Sequence, residues 1–265
     1  MFLRKGTLIR ICVTSVVFII FAAGAFLIAH FIKKGGQSPT PTVTVGIVFA
    51  VIAVVNILVG IYAEGMVKPL EEARRLVGKE LDPDRFIAYY NAECSADNFI
   101  SKPGYDISEL LLTAYELTGN LRGKRAQLAL MKKNLGKRYA AHLTVLEATQ
   151  AYEDGDTETG DKLLEKAEKK APASVTIGSM ADIARKSARA KATGDLLTAK
   201  TYYNGVLNGA GLMKADNAGL LTAHWELFRI CEDTGESEEA LGHLKWCAEY
   251  GGSTAIRSKA LALLK

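Results

Sequence analysis

The chain has 265 residues, enough for one or two domains, and a formal net charge of +4 at pH 7. All 29 Asp and Glu residues lie after residue 63, whereas five of the 33 Lys and Arg residues precede it. Residues 64–265 therefore contain 28 basic and 29 acidic residues. This balance gives nucleic-acid binding by that part of the chain no electrostatic support.

Two uncharged apolar runs come first in chain order, residues 11–32 and 43–63. Each is long enough to cross the hydrocarbon core of a bilayer as a helix. Residues 33–42 between them are rich in Gly, Pro and Lys, so the pattern predicts a two-helix transmembrane hairpin with an extracytoplasmic turn. A basic N-terminus, residues 1–10, precedes it. A cleavable signal peptide is the alternative for the first run, although the run exceeds the usual length of such an apolar region.

The Lys and Arg residues that flank the two runs predict the orientation of the hairpin. Seven lie at the N-terminus or just after the second run, against Lys33 and Lys34 in the connecting turn. This asymmetry predicts a two-span protein with both termini in the cytoplasm, in the inner or plasma membrane of a bacterium. The cysteines form no CxxC pair, and Cys94, Cys231 and Cys247 are interpreted as core residues of a reducing compartment.

After residue 64 the apolar residues recur at helical spacing between short polar turns. Four turns contain Gly followed by Asn, Asp or Glu, at Gly119, Gly155, Gly194 and Gly235, with separations of 36, 39 and 41 residues. Small or apolar residues fall nine and twelve positions after each glycine, and Gly or Pro falls seventeen after. A period in this range predicts stacked helical hairpins.

With these positions in register, the sequence resembles the tetratricopeptide repeat family, whose unit is a helix-turn-helix of roughly 34 residues. The best match is residues 153–172, "EDGDTETGDKLLEKAEKKAP", in which Gly160 opens the second helix and Ala167 follows seven residues later. The first unit departs from the pattern because Lys124 replaces the small residue. The early aromatic appears only as Trp225, one place late.

The resemblance implies about four units over residues 105–252. The predicted fold class is therefore all-α, a two-helix transmembrane hairpin followed by a TPR-like α-solenoid of about four helical hairpins. Residues 64–104 are interpreted as a juxtamembrane helical linker and N-terminal cap, and residues 253–265 as a C-terminal capping helix.

The resemblance also implies where a partner would bind, because such repeats generally hold a peptide or helix of another protein in the groove lined by the first helix of each unit. Carried over by register, the groove residues are Glu109, Thr113, His142, Val145, Thr149, Tyr152, Ala184, Ala188, Trp225 and Arg229. The Lys and Asn set with which some members hold a C-terminal carboxylate is absent from these positions. Recognition of chaperone tails is therefore disfavoured.

A basic surface is predicted at the start of the repeat, on a segment that also carries apolar residues at helical spacing. It comprises Arg122, Lys124, Arg125, Lys132, Lys133, Lys137 and Arg138. Three interpretations stay open: contact with anionic lipid, contact with an acidic segment of a partner, or a solvated face.

No set of residues predicts catalysis, a cofactor or a metal site. The acid-rich turn from Asp154 to Glu165 has the carboxylate spacing of a calcium loop, but Thr159 stands where the loop needs glycine. His142, His224 and the other two histidines show no metal-ligand spacing. They are interpreted as structural or exposed.

The predicted function is a membrane-anchored cytoplasmic scaffold or adaptor that binds partner proteins through a TPR-like groove, without enzymatic activity. The alternative is a small subunit of a membrane protein complex. In that alternative the transmembrane hairpin is the main interface and the repeats are regulatory.

Overall fold

The structure is a computed structural model that describes residues 16, 19–20, 22–28, 30, 32–35, 40–62, 67–94, 104–135, 139–169, 180–209 and 215–265. Within these residues the regular structure is helical, without strands, which confirms the all-α prediction. Two compact units are formed, one from residues 1–71 and 93–101, the other from residues 72–92 and 102–265.

The helices are α1 (Thr40–Tyr62), α2 (Lys68–Ala73), α3 (Pro83–Tyr89), α4 (Tyr105–Leu117), α5 (Leu121–Leu135), α6 (Ala140–Glu153), α7 (Thr157–Glu168), α8 (Met180–Ala192), α9 (Leu196–Leu207), α10 (Asn217–Asp233), α11 (Ser237–Tyr250) and α12 (Ala255–Leu263). Two π-helical segments, Arg74–Lys79 and Tyr90–Cys94, directly follow α2 and α3.

In the first unit, α1 packs against the helical residues 22–28 at a contact between small side chains. A Cβ atom added to Gly46 would lie 3.3 Å from the Ala25 Cβ and 3.4 Å from the Ala22 carbonyl oxygen. Ala22, Ala25 and Ala53 are buried. Small residues therefore let the two helical segments approach closely.

Among the described residues, no helix combines the length and the apolar character that crossing a membrane requires. The first predicted span, residues 11–32, is described only at residues 16, 19–20, 22–28, 30 and 32. The predicted localisation, a two-span membrane protein with cytoplasmic termini, is therefore wrong. The predicted transmembrane hairpin is not confirmed, and the described residues show two helical segments packed together.

The described part of the second unit contains four helical hairpins: α4–α5, α6–α7, α8–α9 and α10–α11. Within each hairpin, a turn of the same backbone geometry joins the two helices. The glycine of each turn has a positive φ: +71° at Gly119, +82° at Gly155, +76° at Gly194 and +78° at Gly235. The next N–H donates to the carbonyl five residues before it, at 2.8 Å in each of the pairs Asn120–Tyr115, Asp156–Ala151, Asp195–Ala190 and Glu236–Cys231. Glycine reaches this left-handed conformation without a Cβ clash. The turns lie where the sequence repeat predicts them.

Each of the first three turns also begins the following helix with a side-chain cap. The oxygens of Asn120, Asp156 and Asp195 accept the N–H three residues later at 2.8, 3.0 and 3.1 Å. Such a cap satisfies one of the free amides at the helix N-terminus. In the fourth turn the carboxylate of Glu236 instead accepts from Thr234 Oγ1 at 2.9 Å and from Lys200.

In the first two hairpins, a glycine on the second helix packs directly against a tyrosine on the first. A Cβ atom at Gly160 would lie 2.3 Å from Tyr152 Cε1, and one at Gly123 would lie 2.7 Å from Tyr115 Cδ1. In the first unit the close contact thus falls one residue earlier than the register predicts. This shift explains why position 124, where a small residue was expected, can hold the long side chain of lysine.

Consecutive hairpins stack through apolar side chains. One cluster joins the third hairpin to the fourth, and its buried members are Ala190, Ala199, Tyr203, Val206, Ala223, Leu227 and Ile230. Another joins the first hairpin to the second through Leu112, Leu128, Met131 and Leu143. A single hairpin could not bury these faces alone, so stacking supplies the core.

The segment before the repeat, residues 72–92, packs against the last hairpin. Gly78 is so close to Asp216 that an added Cβ atom would lie 2.6 Å from its Oδ2, and Asn217 Nδ2 donates to the Lys79 carbonyl at 2.7 Å. The N–H of Ser253 donates to the Leu81 carbonyl at 2.9 Å. Residues 72–92 therefore contact both α10 and the turn that precedes α12.

Substitution of Gly160 by alanine tests the close helix contact. Tyr152 is 2% exposed and hydrogen-bonded to Asp161, so its ring cannot move away from a new Cβ atom. We expect Gly160→Ala to lower the free energy of unfolding by about 1–3 kcal/mol, measured by urea denaturation. The control is Gly242→Ala in α11, where nothing lies within 4 Å. It should raise stability by about 0.5–1 kcal/mol through helix propensity alone. Equal effects would rule out the contact.

Candidate functional site

The predicted groove residues lie on the first helices of the four hairpins, α4, α6, α8 and α10. Seven are half-buried: Glu109, Thr113, His142, Val145, Thr149, Ala188 and Trp225. Arg229 is exposed, whereas Tyr152 is buried inside its own hairpin and presents no surface. The side chain of Ala184 lies outside the described residues. Partial exposure at repeated positions leaves these side chains accessible along the first helices.

An aromatic cluster joins α4 to the N-terminal end of α6. Tyr105 stacks on Tyr139 with ring centroids 4.9 Å apart, and the His142 ring meets Tyr105 edge-on at 5.6 Å. The Tyr105 hydroxyl donates to Glu109 Oε1 at 3.1 Å. Burial raises the pKa of Glu109, so its protonated form is favoured relative to an exposed glutamate.

Lys124, predicted as part of the basic surface, lies instead between two carboxylates. Its Nζ is 3.1 Å from Glu116 Oε2 and 2.8 Å from Glu153 Oε2, and its side chain is only 14% exposed. Burial acts to lower the pKa of Lys124, but the attraction of Glu116 and Glu153 outweighs it and the pKa is raised. Lys124 is therefore a partly buried link between α4, α5 and α6.

Two more residues of the predicted basic surface are paired within the chain. Arg125 Nη2 lies 2.7 Å from Asp154 Oδ1, and Lys132 pairs with Glu147. Arg122 and Lys133 are exposed, and Lys137 and Arg138 lie outside the described residues. Intramolecular acids thus neutralise much of the charge that a lipid or an acidic partner would have met.

In the acid-rich turn, each carboxylate faces a different partner. The contacts are Asp154 with Arg125, Asp156 with the Thr159 N–H, Glu158 with Lys162, Asp161 with Tyr152 and Arg189, and Glu165 with Lys169. A calcium cage needs these oxygens to converge on one point. Here they cap a helix, pair along it and join neighbouring hairpins.

The structure also brings together three side chains that the sequence pattern does not group. Candidate ligand atoms of Cys231 at the end of α10, and of Glu239 and His243 on α11, all lie within 4.8 Å of one another. The His243 and His224 Nδ1 atoms are 2.9 Å apart, and the His224 ring stacks on Trp246 at 4.0 Å. Burial lowers the pKa of His224 to about 4. We call Cys231, Glu239 and His243 the α10–α11 cluster.

One signal could have indicated the α10–α11 cluster. Glu239 and His243 are four residues apart, which places them on one face of a helix. Cys231 lies across the Gly235 turn, and its position beside them depends on how the two helices pack. The spacing of the histidines alone carries no trace of this arrangement.

No family model, curated protein or solved structure matches the chain. The resemblance to the tetratricopeptide repeat therefore stays a prediction that rests on the repeated positions themselves.

Removal of the Lys124 charge tests whether that side chain is structural. We expect Lys124→Ala to lower the free energy of unfolding by roughly 1–3 kcal/mol, because Glu116 and Glu153 are left close together without a counter-charge. Lys132→Ala is the matched control on the same helix, since that side chain is 51% exposed and its ion pair contributes about 0–1 kcal/mol. Equal losses in urea denaturation would contradict the assignment.

The Asp161 carboxylate predicts a pH dependence of stability. It accepts from Tyr152 Oη at 2.6 Å and from Arg189 Nε at 2.7 Å, and the hydrogen bonds from Arg189 and then Tyr152 lower its pKa. Because the folded-state pKa lies below the unfolded value, the stabilisation is complete at neutral pH and is lost as the pH falls below about 4. Asp161→Asn should destabilise the protein at pH 7.

The measurement is chemical denaturation of wild type and Asp161→Asn at pH 7 and at pH 3. The difference in unfolding free energy should shrink at the lower pH. Asp154→Asn removes a comparably exposed ion pair without affecting a bond to the buried Tyr152, so it is the control with a smaller effect at both values. A difference that stays constant with pH would contradict the role of the Asp161 charge.

Proposed function

We propose that the protein is a non-catalytic adaptor whose helical repeat binds a segment of a partner protein along the first helices α4, α6, α8 and α10. The observation that supports this proposal is the recurrence of half-buried side chains at two equivalent positions, each in three of the hairpins: Glu109, Val145 and Trp225 at one, and Thr113, Thr149 and Ala188 at the other. Because the four turns share one geometry, each of these helices is the first helix of an equivalent hairpin. A surface of this kind extends over several units, as recognition of a peptide or helix requires.

The chemistry of the surface suggests what kind of segment it binds. Its middle and far parts carry Val145, Thr149, Ala188 and Trp225, which are uncharged, and Trp225 packs against Phe228 with ring centroids 5.3 Å apart. Aromatic residues with apolar neighbours commonly dominate binding energy at interfaces. The partner segment is therefore expected to be an apolar or amphipathic one, with contact to Arg229 at its edge.

A second candidate is supported by the surface of the first unit. On α1 the side chains of Ile47, Val51, Val54, Val55 and Leu58 are each more than half exposed. Contiguous apolar surface of this kind usually marks an interaction site. In this alternative the protein is a subunit of a larger assembly in which the packed helical segments are the main interface and the repeats are regulatory.

A display experiment with the full-length chain tests the adaptor proposal. Random peptides selected for binding should lose at least roughly tenfold in affinity when Val145→Asp or Thr149→Arg is introduced on α6. The matched control is Leu130→Asp. Leu130 is an exposed leucine on α5, the second helix of its hairpin, and it is changed to aspartate as Val145 is. Circular dichroism checks that the variants are folded.

The same peptides separate the two candidates. If Leu130→Asp weakens binding as much as Val145→Asp, the first helices do not form the binding surface and the proposal fails. Peptides that bind through the first unit would instead lose affinity with Val51→Glu or Val55→Glu. Those variants should leave binding by the repeat unchanged.

A further inference from the structure

The α10–α11 cluster presents three kinds of donor to one point. Cys231 offers a thiol, Glu239 a carboxylate and His243 an imidazole, with the ligand atoms within 4.8 Å of one another. The donors around a tetrahedral Zn²⁺ ion lie roughly 3.3–3.8 Å apart, as the usual bond lengths of 2.0–2.3 Å require. Side-chain movements of about one ångström would bring the three ligand atoms to these separations.

One buried nitrogen of the cluster, His243 Nε2, is without a hydrogen-bond partner among the described residues, and a bound metal ion would provide it with one. The Glu239 Oε1 atom is 3.7 Å from His243 Nε2, which is too long for a hydrogen bond. Buried polar atoms are nearly always satisfied. An ion bound between these two side chains would satisfy this one.

The residues around the cluster hold its members as the supporting residues of metal sites do. A histidine that binds a metal through one ring nitrogen usually forms a hydrogen bond through the other, and ligating carboxylates are also hydrogen-bonded. His243 Nδ1 is 2.9 Å from His224 Nδ1, and His224 is itself held by stacking on Trp246. Glu239 Oε2 accepts from Lys200 Nζ at 2.8 Å.

Charge and access are also consistent with a dication. Lys200 pairs with both Glu236 and Glu239, so a dication and the Lys200 ammonium together balance these two carboxylates and the Cys231 thiolate. A depression of about 450 Å³, lined by Glu236, Ser237, Glu238 and Glu239, opens beside the cluster. An ion can enter there from solvent, while the buried Cys231 closes the inner side.

We propose that Cys231, Glu239 and His243 form a site for a transition-metal dication, for which Zn²⁺ is the best match to the donors. Thiolate, imidazole and carboxylate are all accepted by Zn²⁺, whereas Mg²⁺ and Ca²⁺ prefer oxygen alone. Binding releases one proton, from the Cys231 thiol. Three protein donors leave one position for water or for a group of a partner. This site is independent of the proposed peptide-binding surface.

Cobalt substitution tests the site in the full-length protein. After treatment with a chelator, Co²⁺ should bind with one ion per chain and produce a thiolate-to-metal charge-transfer band in the near ultraviolet. Zn²⁺ should then displace it and abolish the band. Cys231→Ala should remove the band, whereas Cys247→Ala, at a buried cysteine of the same hairpin, should retain it. Absence of the band in wild type, or its loss only in Cys247→Ala, would overturn the proposal.

Exposed positions keep the test valid if Cys231→Ala misfolds. We expect Glu239→Gln to weaken Zn²⁺ affinity at least about tenfold, and Glu238→Gln, its neighbour, to change it less than about twofold. His224→Gln should weaken affinity by roughly 10–100-fold while the charge-transfer band persists, since His224 positions His243 without binding the ion. Equal affinities of Glu239→Gln and Glu238→Gln would show that the metal binds nonspecifically to the acidic surface.

Discussion

The left-handed glycine at the hairpin turn is the constraint on which the second unit depends. Each of these glycines ends one helix and lets the next N–H close onto the carbonyl five residues before it. The chain then reverses within three residues, so the two helices start their contact at once. A residue with a Cβ atom would pay for this conformation at every turn. The close approach of Gly160 to Tyr152 and the stacking of the hairpins depend on that reversal.

Ion pairs then connect one hairpin to the next. Asp161 binds Arg189 across the second and third hairpins, Lys191 pairs with Glu226 across the third and fourth, and Lys200 reaches Glu239. Apolar stacking alone would tolerate sliding between neighbouring units, because it has no direction. Charged hydrogen bonds are directional and hold a defined relation between adjacent hairpins. Many charged residues of the repeat thus pair with one another and fix how adjacent hairpins are arranged.

The sequence was sufficient for the features that depend on local chemistry. The Gly-Asn, Gly-Asp and Gly-Glu pairs predicted the turns, and the side chains of Asn120, Asp156 and Asp195 cap helices where their type allows it. Features that depend on which helix faces which were less predictable. The close contact in the first unit moved from Lys124 to Gly123, and Tyr152, expected in a groove, turned inward against Gly160. Basic residues that were predicted to form one surface pair with acids outside their own helix, and Cys231 lies beside His243 across a turn. For the apolar N-terminal runs, hydropathy and charge predicted a membrane topology that the described helices do not support.

The contact between residues 72–92 and the last hairpin changes how the repeat can unfold. A linear stack of hairpins can lose its terminal units one at a time, because each unit contacts only its neighbours. Here hydrogen bonds join residues 138 and 172 positions apart, between Asn217 and Lys79 and between Ser253 and Leu81. Such contacts close a large loop, whose entropic cost must be met in one step. Neither end can then fray independently, and the hairpins should melt as one cooperative block.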